Sequence, residues 1–462
     1  MAQLACLGRF ETCLHDPDPV ALRAGGTMLR EALSRGAERG RWSAEEAEGA
    51  AARLVETPDL SGLAGCDLVI EAAPEDLALK RGLLAGLAEL CGPDAILATN
   101  TSSLSVTAIA AGIERPERVC GMHFFNPPAA MRLVEVVAAD QTSGDTLAAV
   151  DDVARAMGRE PIRAADRIGF VANRVARPFT LEALRLLGQG VASHEQIDRI
   201  ARLGGGFRMG PFELMDLIGV DVNLDVAKSF WEQSFHEPRW QPHPIQARMV
   251  AAGRVGRKSG RGYYEYGDGP HRPDDPPPIE ARSAAAGADP APASIEGAGF
   301  RAVCVERASP AELDPSGAAV GYVALPTLAE ARLVEIVAGP ATSPEALDAA
   351  ERHFAELGKH VERVGAAVPG LVLGRIVCQI VNEASFAVGE GVATRSDADT
   401  AMRLGFNWPR GPFDWAEAIG AGRVVGCLDA LRAELGEERY RVAPALRAQR
   451  LPLPETGRSI IP

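Results

Sequence analysis

The sequence repeats itself, and a repeat of this length obliges the chain to build two related bodies. MRLVEVVAA at 131–139 returns as ARLVEIVAG at 331–339. GFVANRVARPFTLEALRLLGQGVAS from Gly169 returns as GLVLGRIVCQIVNEASFAVGEGVAT from Gly370. Gly210-Pro211-Phe212 returns as Gly411-Pro412-Phe413. The copies differ in their polar groups rather than their apolar pattern. Twelve residues before Glu135 stands His123, and the same step back from Glu335 reaches Val323. Asn173 faces Gly374, and the run TNTSS at 99–103 has no counterpart. A scaffold tolerates such losses and a second active site does not. Chemistry is therefore expected in the first copy alone.

Ahead of the repeated helical part, short apolar runs alternate with helical stretches. Thr12-Cys13-Leu14, Asp67–Glu71, Ala95–Ala98 and Arg118–Met122 read as strands. The region from about Pro17 to Ala51 reads as helical, with a capping box opening at Ser43. Strands alternating with helices predict a parallel, doubly wound sheet, whose chemistry gathers at the carboxyl ends of its strands. Asp16, Glu75, Asn100, Ser102 and His123 stand at such ends. An acid closing a strand that follows a helix, as Asp16 does, is what a dinucleotide-binding unit offers to a ribose hydroxyl. From about Gly169 to Gly262 the pattern is mostly helical, and Asp268–Gly299, rich in Pro, Ala and Gly, reads as a linker.

The bulk properties narrow the function classes. A net charge of −14 speaks against nucleic acid and anionic membrane surfaces as partners. Eight scattered cysteines, with no CxxC pair or cysteine–histidine cluster, argue for reduced thiols in the cytoplasm and against zinc or a disulfide framework. No apolar run approaches membrane-spanning length.

The candidate chemistry lies in TNTSSLS (99–105), GMHFFNPPAAMRLVEVV (121–137) and GFVANR (169–174). An Asn-Pro-Pro turn between His123 and Glu135 could fold the glutamate back beside the histidine. A carboxylate on one ring nitrogen fixes the tautomer and leaves the other nitrogen as base. Ser102 and Ser103 have a plainer reading as caps of the helix beginning near Ser105. Asn126, before Pro127, has one as a turn former.

Together these motifs resemble the L-3-hydroxyacyl-CoA dehydrogenase family, over essentially all of 1–265 and again around 325–430, and most resemble its members with a tandem C-terminal domain. The resemblance implies His123 as general base, Glu135 as its partner, and Ser102 and Asn173 on the substrate. It further implies Asp16 on the adenosine ribose of NAD, with Glu75, Lys80, Asn100, Asn126 and Lys258 lining the cofactor site. The implied organisation is a Rossmann-like NAD-binding domain over 1–168, an all-α substrate domain over 169–265, a linker over 266–300, and over 301–462 a remnant with a second, degenerate helical domain.

One departure from the family pattern is large. The strand and G-x-G-x-x-G turn expected ahead of MAQLACLGRF are missing from the sequence, so the first βα unit reads as truncated. Two expectations compete: a natural start upstream of Met1 that supplies the turn, or an acyl-CoA-binding homologue that has lost catalysis. The retained set of site residues and Asp16 favour the first. The resemblance also implies that the two helical copies pair within one chain as a pseudo-dimer. Whether whole chains pair in turn is left open by the sequence.

Overall fold

In the computed structural model, residues 1–277 and 292–449 are described. They cluster into two units, 1–171 with 392–405, and 172–391 with the C-terminal remainder. The first unit opens with α1 (Ala2–Leu7), β1 (Thr12–His15), α2 (Pro19–Glu38), α3 (Ala44–Ala52) and β2 (Leu54–Thr57). Ser43 and Glu46 form the capping box that starts α3. Next come β3 (Leu68–Glu71), α4 (Leu77–Leu90), β4 (Ile96–Thr99), α5 (Val106–Ala110), β5 (Val119–Phe124), β6 (Leu133–Ala138), α6 (Gly144–Ala156) and β7 (Glu160–Ala165).

Two features correct the expectation of one parallel sheet. Strands β1 and β2 pair in parallel as a sheet of their own, while β3–β4–β5–β6–β7 form a second sheet. Within that second sheet β6 runs antiparallel to β5. Too few residues separate Phe124 from Leu133 to carry a crossover helix, so the chain returns antiparallel, as a short connection requires. The apolar faces of β4, β5 and β6 (Ala98, Met122, Val134, Val136) pack on Leu4 of α1 and on Val150 and Ala154 of α6.

The second unit holds α7 (Ala172–Gly188), α8 (His194–Leu203), α9 (Pro211–Ile218), α10 (Val220–Gln233) and α11 (Pro244–Ala251). After these come β8 (Ser294–Gly297), β9 (Phe300–Cys304), α12 (Pro310–Leu313), β10 (Val320–Ala324), β11 (Leu333–Ala338), α13 (Pro344–Glu356) and β12 (His360–Arg363), the strands forming one sheet in the order β12–β11–β10–β9–β8. The second helical copy is α14 (Leu373–Gly389), α15 (Arg395–Gly405), α16 (Pro412–Ile419), α17 (Ala421–Leu435) and α18 (Pro444–Ala448). Residues 278–291 of the stretch read as a linker lie outside the described residues. Order extends into both its ends: Asp275 pairs with Arg202 at 2.8 Å, and Ser294–Gly297 is strand β8.

Helices α7 and α14 pack against each other, and the contact is ionic as well as apolar. Arg174 pairs with Glu383 at 2.7 Å, and its repeat mate Arg375 pairs with Glu182 at 2.9 Å. All four side chains are buried, so each charge depends on its partner. The following helices exchange sheets. Helix α8 packs on β11 and β12, where Arg199 pairs with Glu362 at 2.6 Å, whereas α15 packs on β6 and β7. Backbone bonds mirror the exchange, with Ala165 N–H donating to Val392 O at 2.9 Å and Gly365 N–H to Val191 O at 2.7 Å. No described helix is long and apolar enough to cross a membrane.

Candidate active site

Antiparallel pairing of β5 and β6 sets His123 directly opposite Glu135. Opposed residues in such a pair project to the same face with their Cβ atoms about 5 Å apart, and a slip of one residue would send them to opposite faces. Here His123 Nδ1 lies 2.7 Å from Glu135 Oε2. Both side chains are buried, and the rings of Phe125 and Phe170 pack against the imidazole at 4.8 and 5.8 Å. Donation from Nδ1–H to the carboxylate leaves Nε2 as a lone-pair acceptor, and among the described residues Nε2 makes no hydrogen bond.

Glu135 has a second task. Its Oε1 accepts the Val171 N–H at 3.0 Å, just past Gly169 and Phe170, both in the left-handed region at φ 70 and 48. A left-handed phenylalanine costs about 1–3 kcal/mol, and the carboxylate helps hold it there. The repeat reproduces this arrangement without the histidine. Glu335 accepts the N–H groups of Val372 and Leu373 at 2.7 and 3.0 Å, next to Gly370 and Leu371 at φ 75 and 46. Opposite it stands Val323. Burial pushes the Glu335 carboxyl up to about 8.

The TNTSS run is pinned by one carboxylate. Glu75 Oε1 accepts from Thr101 Oγ1 at 2.6 Å, Ser102 N–H at 2.9 Å, Ser103 N–H at 3.0 Å and Ser103 Oγ at 2.9 Å. Burial works against the charge, but these bonds and nearby Lys80 outweigh it and hold Glu75 below the usual carboxylate range. The Ser102 hydroxyl is thereby presented exposed and makes no hydrogen bond among the described residues. It is not a helix cap, because Ser105 caps α5 by accepting the Ala108 N–H. Asn100 Oδ1 accepts the Phe124 N–H at 2.8 Å and so ties the end of β4 to the strand carrying His123.

The residues implied for the cofactor divide by environment. Asp16, half-buried past the end of β1, uses Oδ1 to accept the Asp18 N–H at 2.9 Å. Asn126 is exposed in the turn leaving β5. Lys80 is 1% exposed and donates to both oxygens of Glu71 and to Ala73 O. Its charge is consumed in holding the loop that carries Glu75. Asn173 and Lys258 belong to the helical unit, where Lys258 pairs with Asp221 at 2.6 Å. The half-buried acid at Asp16, past the end of β1, and the amide and hydroxyl groups of Asn100 and Ser102, past the end of β4, suit the hydroxyl and amide groups of NAD. Glu71, Phe125 and Phe170 complete these surroundings and escaped the motif reading.

Residues 1–167 match the family described as 3-hydroxyacyl-CoA dehydrogenase, NAD binding domain. Residues 169–266 and 370–458 each match the 3-hydroxyacyl-CoA dehydrogenase C-terminal domain. The chain is 37% identical to the 3-hydroxyadipyl-CoA dehydrogenase of Escherichia coli K12 over 455 residues, 98% of this chain and 94% of that protein. It is 39% identical to a probable 3-hydroxybutyryl-CoA dehydrogenase of Bacillus subtilis, over 58% of this chain and 92% of that one. The crystal structure of an Escherichia coli K12 3-hydroxybutyryl-CoA dehydrogenase superposes with a TM-score of 0.89 at 36% identity, covering 97% of this chain and 94% of that one.

Proposed function

This chain belongs to the 3-hydroxyacyl-CoA dehydrogenase family, and from that premise we propose that it oxidises an L-3-hydroxyacyl-CoA to the 3-oxoacyl-CoA. NAD, when bound, supplies the acceptor for the hydride that leaves C3. The remaining work falls to side chains. His123 Nε2 takes the proton of the C3 hydroxyl, and Glu135 stabilises the imidazolium that results. Ser102 donates its hydroxyl to the substrate oxygen as the carbonyl forms, and the Asn173 carboxamide holds the substrate in register. Asp16 receives the adenosine ribose, with Asn100, Asn126 and Lys258 as further cofactor contacts. Glu75 and Lys80 act by fixing the loop that presents Ser102.

The observation that supports this reading most is the buried pair of His123 Nδ1 and Glu135 Oε2 at 2.7 Å, with Nε2 unengaged. The acyl groups in the relatives' names, 3-hydroxyadipyl and 3-hydroxybutyryl, bracket the substrate. Packing of α7 on α14 supports reading the tandem domain as a pseudo-dimer within one chain. The test is oxidation of NADH by acetoacetyl-CoA. His123→Ala should lower the rate by about 10²–10⁴, the worth of a positioned general base. Undiminished turnover by that variant would refute the assignment. Acyl-CoA binding with no turnover by the parent chain would favour a non-catalytic binder.

A further inference from the structure

Two aromatic rings pack against the imidazole of His123, and they reach it from two separate elements. Phe125, just past β5, has its ring centre 4.8 Å from that of the imidazole, tilted at 58°. Phe170, in the left-handed turn ahead of α7, lies 5.8 Å away, edge to face at 60°. Phe170 is buried and Phe125 half-buried. Both rings, His123 and Glu135 belong to the first unit.

The second copy shows what the backbone asks of these two positions. Leu325 stands in place of Phe125, two residues past Val323, and Leu371 stands in place of Phe170. Leu371 takes the same left-handed conformation, φ 46 against 48, after a glycine at φ 75 against 70. The residues that follow it donate to Glu335 as Val171 donates to Glu135. Both leucines are buried. A leucine therefore meets what the core and the left-handed turn require, and the strain of that turn is the same for either side chain. What a phenyl ring adds is flatness, rigidity and a preferred angle to a neighbouring ring.

We propose that Phe125 and Phe170 are positioning residues for the oxidation: with Glu135 they fix the plane of the His123 imidazole, and so the direction in which Nε2 meets the C3 hydroxyl. This rests on the dehydrogenase reading, in which Nε2 takes the proton of that hydroxyl. The torsion that turns a histidine ring about its Cβ–Cγ bond is broad and roughly two-fold, so no rotamer well sets the plane. The hydrogen bond from Nδ1 to Glu135 Oε2, 2.7 Å long, ties down one atom of the ring and still lets it rock. Aromatic pairs at these separations favour tilted and edge-to-face arrangements, and both pairs here are of that kind. A leucine offers a flat ring no such preference, and its smaller side chain leaves part of the imidazole without contacts. Orientation bears on rate more than on affinity. The proton passes along a hydrogen bond that weakens steeply as its angle departs from linear, whereas binding draws on the whole thioester.

The experiment measures kcat and KM of the full chain for oxidation of 3-hydroxybutyryl-CoA by NAD, with denaturant midpoints alongside. Phe125→Leu and Phe170→Leu give the first copy the residues that the second already holds in the same backbone. Each should lower kcat by about tenfold with KM held within about twofold, and Phe125→Tyr, which keeps the ring, should recover most of that loss. The Nδ1–H proton of His123 should give a sharp low-field NMR signal in the parent chain and a broadened one in the leucine variants. Should one leucine variant not fold, the other decides, since each ring makes its own contact. Full kcat in the leucine variants overturns the proposal and leaves the dehydrogenase reading standing. So does a rise in KM at constant kcat, which would put the rings on the substrate instead. No turnover by the parent chain overturns the dehydrogenase reading and the proposal together.

Discussion

Replacing Glu335 with glutamine separates two tasks that one glutamate performs in the first copy. Glu335 has no histidine opposite it, so its carboxyl serves the backbone alone, through Val372 and Leu373. Burial, reinforced by the nearby Glu362 carboxylate, pushes its pKa from 4.5 to about 8 against the pull of those two N–H groups. Below pH 4.5 both folded and unfolded chains hold the proton. Between 4.5 and about 8 the unfolded chain has released it and the folded chain has not, so stability falls as pH rises through this window. The slope approaches 1.4 kcal/mol per pH unit, giving a cost of about 3 kcal/mol at pH 7 and about 5 kcal/mol above pH 8. Glutamine carries no proton to lose. It offers one acceptor where the carboxyl offers two and buries an amide N–H, a loss of about 1–3 kcal/mol that does not depend on pH. Glu335→Gln should therefore be the less stable protein near pH 5 and the more stable one at pH 8. Denaturant midpoints for the two chains at pH 5, 6, 7 and 8 give the difference curve directly. Parallel curves across that range would mean that Glu335 is ionised in the fold, and the reasoning would fail.

Two other perturbations test the supports of the site and of the helical core. Glu75→Gln weakens the acceptor for the Thr101, Ser102 and Ser103 donors, so the loop presenting Ser102 should loosen. A rise of about tenfold in the Kd for NADH, with a loss of about 1–3 kcal/mol in stability, is expected from fluorescence titration and denaturation. Arg375→Met strands a buried Glu182 carboxylate and should cost about 3–5 kcal/mol, most of it recovered in the double variant with Glu182→Met.

The repeat, the strand candidates and the spacing of His123 from Glu135 were legible because each rests on local pattern. The Asn-Pro-Pro turn signalled a return of the chain, and the structure makes that return antiparallel, with the two side chains opposed. The direction of β6 was not legible, because an apolar run such as LVEVV looks the same in either orientation. Lys80 illustrates a second limit. The family resemblance implies Lys80 as a cofactor contact, yet Glu71 lies close enough in the fold to claim it. Nothing in sequence spacing reveals that competition.

The helix exchange shows a third limit, and it bears on why the degenerate copy persists. The periodicity of α8 and α15 marks an apolar face on each but says nothing about which sheet that face meets. In the fold α15, from the copy without catalytic groups, packs on β6, the strand that carries Glu135. Its Gly405 lies against Leu133, where a Cβ would come within 2.7 Å of the leucine side chain. The second copy lacks counterparts of His123 and Asn173, yet its α15 presents the small residue that Leu133 of β6 needs. Leu133 of the first copy's sheet is thus packed by Gly405, 272 positions further along the chain. The apolar face of α15 is therefore part of the surroundings of the strand that carries Glu135, and it serves the first copy's sheet although its own copy has Val323 where the first has His123.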